Sequence, residues 1–230
     1  MRRTFAVIAT AVTFAAAFCF AQAPAPAPNP KPPVEYKPPT RGAPKVRVGG
    51  STRSAARELS LAVIAPDHTG LASTDQPELY WYISQPVKAP LEFTIIGLEA
   101  IDPLAEKALP PVAEAGIQRI RLSDFGVKLK PGDEYQWSIS FVADAGSRSK
   151  DTVASGRVRV TPLPPELAGK SPSVAAYAGA GYWYDALAML RKEIAQHPKD
   201  PGLLAMQQAL LEQIGLTEVA RYERERAAGN

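Results

Sequence analysis

Few side chains in this sequence could carry out acid–base or metal chemistry. The two histidines are His68, in a Pro-Asp-x-x-Gly turn, and His197, next to Pro198, and the one cysteine is Cys19. A zinc site needs three or four ligands, usually from His and Cys. We therefore expect no metal and no cofactor, and we expect His68 to be a turn or cap residue rather than a general base.

Two pairs of neighbouring carboxylates could in principle serve a glycosidase: Glu99 with Asp102, and Asp133 with Glu134. That chemistry needs carboxyl groups about 5–10 Å apart, which sequence spacing alone does not supply. The chain also lacks a Gly-x-Ser-x-Gly elbow, a phosphate loop and a His-Glu-x-x-His motif. We predict that the protein is not an enzyme and keep a hydrolase with a carboxylate pair as the third hypothesis.

Arginines form one candidate interaction surface. Arg119 and Arg121 alternate with apolar residues in one segment, and Arg157 and Arg159 do so in another. On strands, each pair would lie on the solvent face. If the two strands are neighbours, the four form a basic patch; otherwise they are a solvated face that discourages aggregation. The glycine-rich stretch 49–53 is either an anion-binding nest or a flexible lead-in.

Aromatic residues form the other candidate surface. Tyr182, Trp183 and Tyr184 cannot all be buried on one helix face, so at least one should reach the surface or meet the sheets. Exposed aromatic residues are favoured anchors for protein partners. Tyr80 and Tyr82 lie on the predicted solvent face of a strand, and with Trp183 they would offer a sugar-stacking platform. A glycan-binding accessory module is therefore the alternative hypothesis.

A Pro-Gly turn and an alternating strand predict the architecture that positions these residues. Leu129-Lys130-Pro131-Gly132 precedes a strand in which Tyr135 and Trp137 share one face. The order of Leu129, the Pro-Gly turn and Tyr135 matches the tyrosine corner of immunoglobulin-like sandwiches. We expect the Tyr135 ring to be buried with its hydroxyl bonded to nearby backbone, and Trp81 and Trp137 to lie in the same core.

Six segments combine strand-forming residues with turn signals at their ends. They are 58–65, 78–84, 91–98, 117–123, 134–143 and 154–161. Short strands that end in such turn residues favour an antiparallel sheet over alternating βαβ units. The chain is thus predicted to be mainly β, with an antiparallel immunoglobulin- or fibronectin-III-like sandwich domain over 46–163.

The period of the apolar residues changes to three and four in the C-terminal part. Apolar stripes predict one helix around 184–194, a second over 201–214 and a short third over 217–226. The spacing of Gly181, Trp183, Ala186, Leu190 and Pro198 resembles the second half of a tetratricopeptide repeat. A single repeat cannot bury both faces. The helical region, 172–226, should therefore pack on the sandwich or on a partner.

The N-terminal residues predict the compartment. Residues 1–23 have the charged start, apolar run and Ala21-Gln22-Ala23 cleavage site of a secretory signal, which would remove Cys19. Residues 24–45 are rich in Pro and Ala and predict a disordered, solvated linker. Residues 46–163 carry 13 basic and 14 acidic side chains, which argues against nucleic acid. We expect a periplasmic or secreted protein with no membrane anchor after cleavage.

Several motifs together resemble the bacterial domain of unknown function 928 family. They are Val46 to Arg53, Pro77 to Ser84, Leu129 to Trp137, Gly156 and Gly181 to Leu187, and the resemblance covers about 46–225. Ala143 departs from it, because many members are expected to carry cysteine there. The resemblance implies an exported bacterial protein without established activity, and it transfers no catalytic residue.

The leading hypothesis from the sequence is a non-enzymatic envelope protein that binds another, unidentified protein or acts as a scaffold module. It rests on the predicted export, the sandwich, the repeat-like helices and the lack of a catalytic motif. The interaction surface would be the sandwich edge or the helical region. The exposure of the aromatic rings distinguishes this hypothesis from glycan binding.

Overall fold

The computed structural model describes residues 33–39, 59–142, 146 and 151–229. The predicted signal 1–23, the glycine-rich stretch 49–53 and Ala143 lie outside the described residues. The described chain is rich in strands and has a helical C-terminal region. Its strands form two open sheets that share one hydrophobic core.

Within the described residues, eight strands make up the two sheets. They are β1 (Leu61–Val63), β2 (Gly70–Ala72), β3 (Glu78–Ile83), β4 (Leu91–Gly97), β5 (Ala105–Leu109), β6 (Gly116–Arg121), β7 (Glu134–Phe141) and β8 (Thr152–Val160). One sheet has the order β1-β3-β6 and the other the order β2-β8-β7-β4-β5. All pairs are antiparallel except β2 with β8, so the expectation of purely antiparallel sheets is wrong at one edge.

The long strands start close to the predicted positions, and the differences lie in short elements. The strand predicted over 117–123 gives way to a 3₁₀ turn, Leu122–Phe125, closed by Gly126 at φ 65°. β2 and β5 were not predicted. β2 has only three residues, too few for alternation to show, and β5 exposes the middle of Ala-Glu-Lys-Ala-Leu as a charged edge strand.

The core forms where β1 faces β8. Val63 pairs with Trp81 across β1 and β3, so both side chains point to the same face. A Cβ placed on Gly156 of β8 would lie 2.7 Å from the Cβ of Ala65, so the two sheets approach closely here. Trp81 and Trp137 are buried in this core.

Tyr135 has the geometry predicted for a tyrosine corner. Its ring is buried, and its hydroxyl accepts a hydrogen bond of 3.0 Å from the backbone N–H of Lys130. The bond ties the start of β7 to the Pro-Gly turn that precedes it. It therefore fixes the entry of the chain into the strand that carries Trp137.

Both faces of β3 are buried, which the alternating pattern did not predict. Tyr80 and Tyr82 point away from the inter-sheet core and are covered by the helical region. Tyr82 meets Tyr222 edge to face at 5.3 Å between ring centroids. The helices thus form a third layer over the three-stranded sheet, and the expectation that these tyrosines face solvent is wrong.

Four helices form the C-terminal region. They are α1 (Val174–Gly179), α2 (Trp183–Gln196), α3 (Pro201–Gln213) and α4 (Thr217–Ala228). The Asp200 carboxylate caps α3 by accepting from the N–H groups of Gly202 and Leu203, and Pro201 occupies its first turn. α1 was not predicted, because its six residues are too few to show an apolar period.

Residues 33–39 cross the helical region as an extended strap. Val34 and Tyr36 are buried, and the Lys37 N–H donates to Ala178 O at 3.0 Å. The Gln213 side chain accepts from Tyr36 N–H and donates to Val34 O. The prediction of a solvated, disordered linker is wrong for this part of 24–45, because an apolar residue and an aromatic one interrupt the Pro-rich composition.

Candidate functional site

The three consecutive aromatic residues attach α2 to the sheets. The Tyr182 hydroxyl donates to Pro162 O at 2.6 Å, the Trp183 indole to Ile64 O at 2.9 Å, and Tyr184 to Arg157 O at 2.8 Å. All three can be buried because the helix N-terminus lies against different strands, with Tyr182 preceding the first helical turn. The assignment of Tyr182 and Trp183 to an interaction surface is therefore wrong.

The proposed sugar platform is also covered. The exposed fractions of Tyr80, Tyr82 and Trp183 are 3%, 5% and 0%. A carbohydrate ring needs an open aromatic face, and these rings offer none. The glycan-binding alternative thus loses the feature on which it rested.

The four arginines do not form one patch. Arg119 and Arg121 lie on β6 of the three-stranded sheet, whereas Arg157 and Arg159 lie on β8 of the five-stranded sheet. Because these strands are not neighbours, the single basic surface over all four is wrong.

Each arginine pair shares one glutamate on the adjacent strand, which leaves a net charge of +1 in each group. Glu78 Oε1 lies 3.3 Å from Arg119 Nη1 and 3.8 Å from Arg121 Nε. The Glu134 carboxylate lies 3.7 and 2.6 Å from the two guanidinium groups on β8. Such partly exposed pairs contribute little to stability and act mainly to balance charge.

A cleft between the outer face of the three-stranded sheet and α2 is the candidate functional site, and we call it the basic cleft. Its volume is about 790 Å³, within the roughly 300–1,000 Å³ of typical ligand clefts. Three cationic residues line it: Arg119 from β6 and Arg191 and Lys192 from α2. Its apolar lining includes Ile117 and Met189.

The two carboxylates of the basic cleft are already engaged. The Tyr80 hydroxyl donates to Glu78 Oε2 at 2.5 Å, and burial raises the pKa of Tyr80, as does this bond. Asp185 accepts from the N–H of Ser73 at 2.8 Å and from its hydroxyl. Burial raises the pKa of Asp185, although both bonds from Ser73 oppose the shift. The lining of the cleft thus has three basic and two acidic side chains, a formal excess of one positive charge.

Arg191 connects the basic cleft to the packing of the helices. Its Nη1 donates to Gln207 Oε1 at 2.7 Å and lies 3.8 Å from Glu223 Oε2. Burial lowers the pKa of Arg191, whereas the charge of Glu223 raises it. Gln207 and Glu223 are both buried, so this guanidinium is held in place by α3 and α4. Lys192, in contrast, is exposed and makes no ion pair among the described residues.

The two acidic pairs noted in the sequence meet at a second cleft of about 690 Å³. Glu99, Asp102, Asp133 and Glu134 all line it. Glu134 accepts from the Thr69 hydroxyl at 2.5 Å in addition to its arginine contacts, so it is held as an ion-pair partner. Within the described ranges, no three His, Cys, Asp or Glu side chains group closely enough to hold a metal ion.

His68 lies in its turn as expected and supports the strap. Its Nε2 lies 2.9 Å from the Tyr36 hydroxyl and its Nδ1 3.3 Å from Asp67 Oδ1, and the His68 and Tyr36 rings are stacked. Burial raises the pKa of Tyr36, so its hydroxyl stays protonated. The arrangement is a hydrogen-bonded contact between strap and turn.

The loop between β4 and β5 exposes three aliphatic side chains, which we call, with their acidic neighbours Glu99 and Asp102, the acidic tip. Leu98, Ile101 and Leu104 are 44%, 94% and 48% exposed. Sequence reasoning treated this stretch only as a turn with two carboxylates. The alternation of Leu-Glu-x-Ile-Asp-x-Leu was a usable signal, because it puts apolar and acidic residues on one short loop.

Sequence reasoning also missed Arg191 and Lys192, because the basic cleft joins β3, β6 and α2, which lie far apart in the chain.

None of the helices in the described ranges has the length and hydropathy needed to cross a membrane.

Together these features define a strand-rich scaffold with a packed helical C-terminal region and a basic cleft between the two. A family model described as Domain of Unknown Function (DUF928) matches residues 41–223. The chain belongs to this family, as its sequence motifs predicted. A search among curated proteins finds no match.

Proposed function

We propose that this protein is an exported, non-enzymatic bacterial envelope protein that binds an acidic, partly apolar segment of another protein in the basic cleft. The observation that carries the proposal is the combination of three cations with an apolar lining in one cleft whose carboxylates already have partners. Binding, rather than hydrolysis, suits this arrangement, because a general acid or base must be free to exchange its proton with a substrate.

Charge and packing support a protein partner. Lys192 and the 44%-exposed Arg119 side chain offer charge at the rim. Interfaces combine such a polar rim with an apolar centre, and Ile117 and Met189 supply the apolar surface. Complementary charge chiefly speeds association and selects the partner. The carboxylates of an acidic segment would pair with the cationic rim of the cleft, and its aliphatic side chains would pack on the apolar surface.

Export and the finer fold belong to the same proposal. The charged start, apolar run and Ala-Gln-Ala site of residues 1–23 support a periplasmic or secreted location. The Tyr135 bond to Lys130 supports an immunoglobulin-like sandwich. The contact between α2 and α3 across a Pro-containing turn supports a tetratricopeptide-like pair that serves here as a cover for the sheet.

The test uses two fluorescein-labelled peptides that alternate Leu or Ile with either Glu or Lys. We expect the acidic peptide to bind in fluorescence anisotropy, more weakly as salt rises, and the basic peptide not to bind. The double variant Arg119→Glu, Lys192→Glu should weaken binding at least about tenfold, or about 1.4 kcal/mol.

The matched control is Lys128→Glu, Lys170→Glu, which changes the net charge equally at two exposed sites outside the cleft. It should bind like the wild type. Equal binding of both peptides, or an equal loss in the control, would show that general charge and not the basic cleft is responsible.

A further inference from the structure

We infer that the segment bound in the basic cleft is the acidic tip of a second copy of this chain. The inference rests on the proposed function, because it names the partner of the same cleft. It assigns the protein a heterologous, head-to-tail self-association in which each copy offers one cleft and one tip.

The acidic tip is preorganised for such a contact. Leu98 N–H donates to Glu134 O at 3.0 Å, Leu104 N–H to Ile95 O at 2.8 Å, and Ala100 N–H to Gly97 O at 3.0 Å. These bonds hold both ends of the loop while the aliphatic side chains remain exposed. A loop that is already ordered loses little conformational entropy on binding.

Charge and hydropathy of the two surfaces are complementary. Glu99 and Asp102 flank the almost fully exposed Ile101, and neither carboxylate makes an ion pair with a described residue. The cleft presents Arg119 and Lys192 around an apolar lining. The tip therefore has the acidic and aliphatic composition that the cleft requires.

Within one copy the two surfaces are separated. The tip joins β4 to β5 at the edge of the five-stranded sheet, whereas the cleft lies on the face of the three-stranded sheet that the helices cover. No residue lines both the basic cleft and the second cleft beside the tip. The contact must therefore form between copies. Such a heterologous contact yields rings where the rotation closes and open fibres where it does not.

The experiment compares three forms of the purified protein by sedimentation velocity. One is the wild type, one the cleft variant Lys192→Glu with Arg119→Glu, and one the tip variant Glu99→Gln with Asp102→Asn. We expect the wild type to assemble beyond the dimer as its concentration rises. Each variant alone should remain monomeric, with association at least about tenfold weaker.

An equimolar mixture of the two variants is the decisive sample. Each variant keeps one intact surface, so the tip of the cleft variant can enter the cleft of the tip variant. The mixture should form a 1:1 dimer that does not grow further. Lys192→Glu alone serves as a second cleft variant that leaves the Arg119–Glu78 pair intact.

A wild type that stays monomeric, together with a mixture that forms no dimer, would overturn the inference. If the acidic Leu/Glu peptide still binds the basic cleft in that case, the proposed function survives with another partner. If that peptide fails as well, both proposals fall. Assembly that persists in both variants would place the contact elsewhere and also reject the inference.

Discussion

Buried hydroxyl and indole groups hold the layers of this protein together residue by residue. The Trp137 indole donates to the Tyr184 hydroxyl at 2.9 Å, and that hydroxyl donates to Arg157 O. Since a buried polar group costs free energy unless it is paired, these bonds favour one orientation of α2 on the sheets. Aromatic residues that looked suited to binding therefore serve the structure.

Removing the Tyr135 hydroxyl tests the tyrosine corner. Tyr135→Phe keeps the buried ring but leaves the Lys130 N–H without its acceptor. We expect the free energy of unfolding in urea to fall by about 1–2 kcal/mol. Tyr222→Phe is the control, because that hydroxyl makes no hydrogen bond among the described residues, and its effect should stay within about 0.5 kcal/mol. An unchanged unfolding midpoint in Tyr135→Phe would contradict the corner.

At the scale of elements, α2 carries two of the three cations of the basic cleft, so its attachment determines the geometry of the site. Asp185 in its first turn binds the backbone and side chain of Ser73, which follows β2. The strap packs on the N-terminal end of α2, where Tyr36 meets Trp183 edge to face at 5.0 Å. Both contacts can be probed without touching the cationic residues.

The contribution of Asp185 to the stability of the folded protein should depend on pH. Burial raises the pKa of Asp185 above its ordinary value, so the folded protein holds this proton more tightly than the unfolded chain does. The stabilisation is therefore complete below the ordinary aspartate pKa and is lost as pH rises through the raised pKa. Asp185→Asn keeps an acceptor for the Ser73 N–H and does not ionise.

We expect the unfolding free energy of Asp185→Asn to rise relative to that of the wild type as the pH increases above the ordinary aspartate pKa of 3.8, with urea denaturation at each pH as the measurement. Parallel pH profiles of the two proteins would mean that Asp185 does not titrate differently in the folded state.

Gly181 makes room for the strap, which gives a second test at this scale. Its φ is +86°, and an added Cβ would lie 3.0 Å from Lys37 O and from Pro39 Cδ. Gly181→Ala should destabilise the protein by about 1–3 kcal/mol and speed hydrogen exchange at the Tyr36 and Lys37 amides. Gly179→Ala, where a Cβ would meet nothing within 4 Å, should leave this exchange unchanged. Equal exchange in both variants would show that the strap does not depend on Gly181.

The elements also show how far the sequence could predict the fold. β3, β4, β7 and α2 to α4 were predictable, because a period of two or of 3.6 is sustained over six or more residues. β2 and α1 are too short to show a period. Tyr80 and Tyr82 were misassigned because alternation distinguishes only two faces and does not reveal that a helix covers the second one.

The candidate site was predicted only in its parts. Arg119 was singled out by its alternation on β6, but Arg191 and Lys192, more than 70 positions further along the sequence, join it only through the packing of α2. No pattern within a short stretch of sequence indicates a contact between residues so far apart. The family could be predicted, because it depends on motifs and not on how they pack.

As a whole, the described chain from residue 59 onwards is a stack of three layers: the five-stranded sheet, the three-stranded sheet and the helices. The central strand of the middle layer, β3, is buried on both sides, whereas β6 beside it exposes Arg119 and Arg121. Each outer layer contributes one surface that the described chain leaves uncovered: the acidic tip on the first, and the rim of the basic cleft on the last. The stability of the stack therefore depends on the fit between the two sheets.

The sheets lie close together at Gly156, so this glycine provides the test at the scale of the molecule. In Gly156→Ala the new methyl would lie 2.7 Å from the Ala65 Cβ and 3.3 Å from the Trp137 indole nitrogen, and neither neighbour can rotate away from the contact. Overpacking of this kind costs about 1–3 kcal/mol, and we expect urea unfolding to show it. Gly97→Ala is the matched strand control, since its Cβ would make only ordinary contacts of 3.5 and 3.9 Å. Equal stability of the two variants would mean that the sheets separate at no cost, and a close-packed core between them would then be untenable.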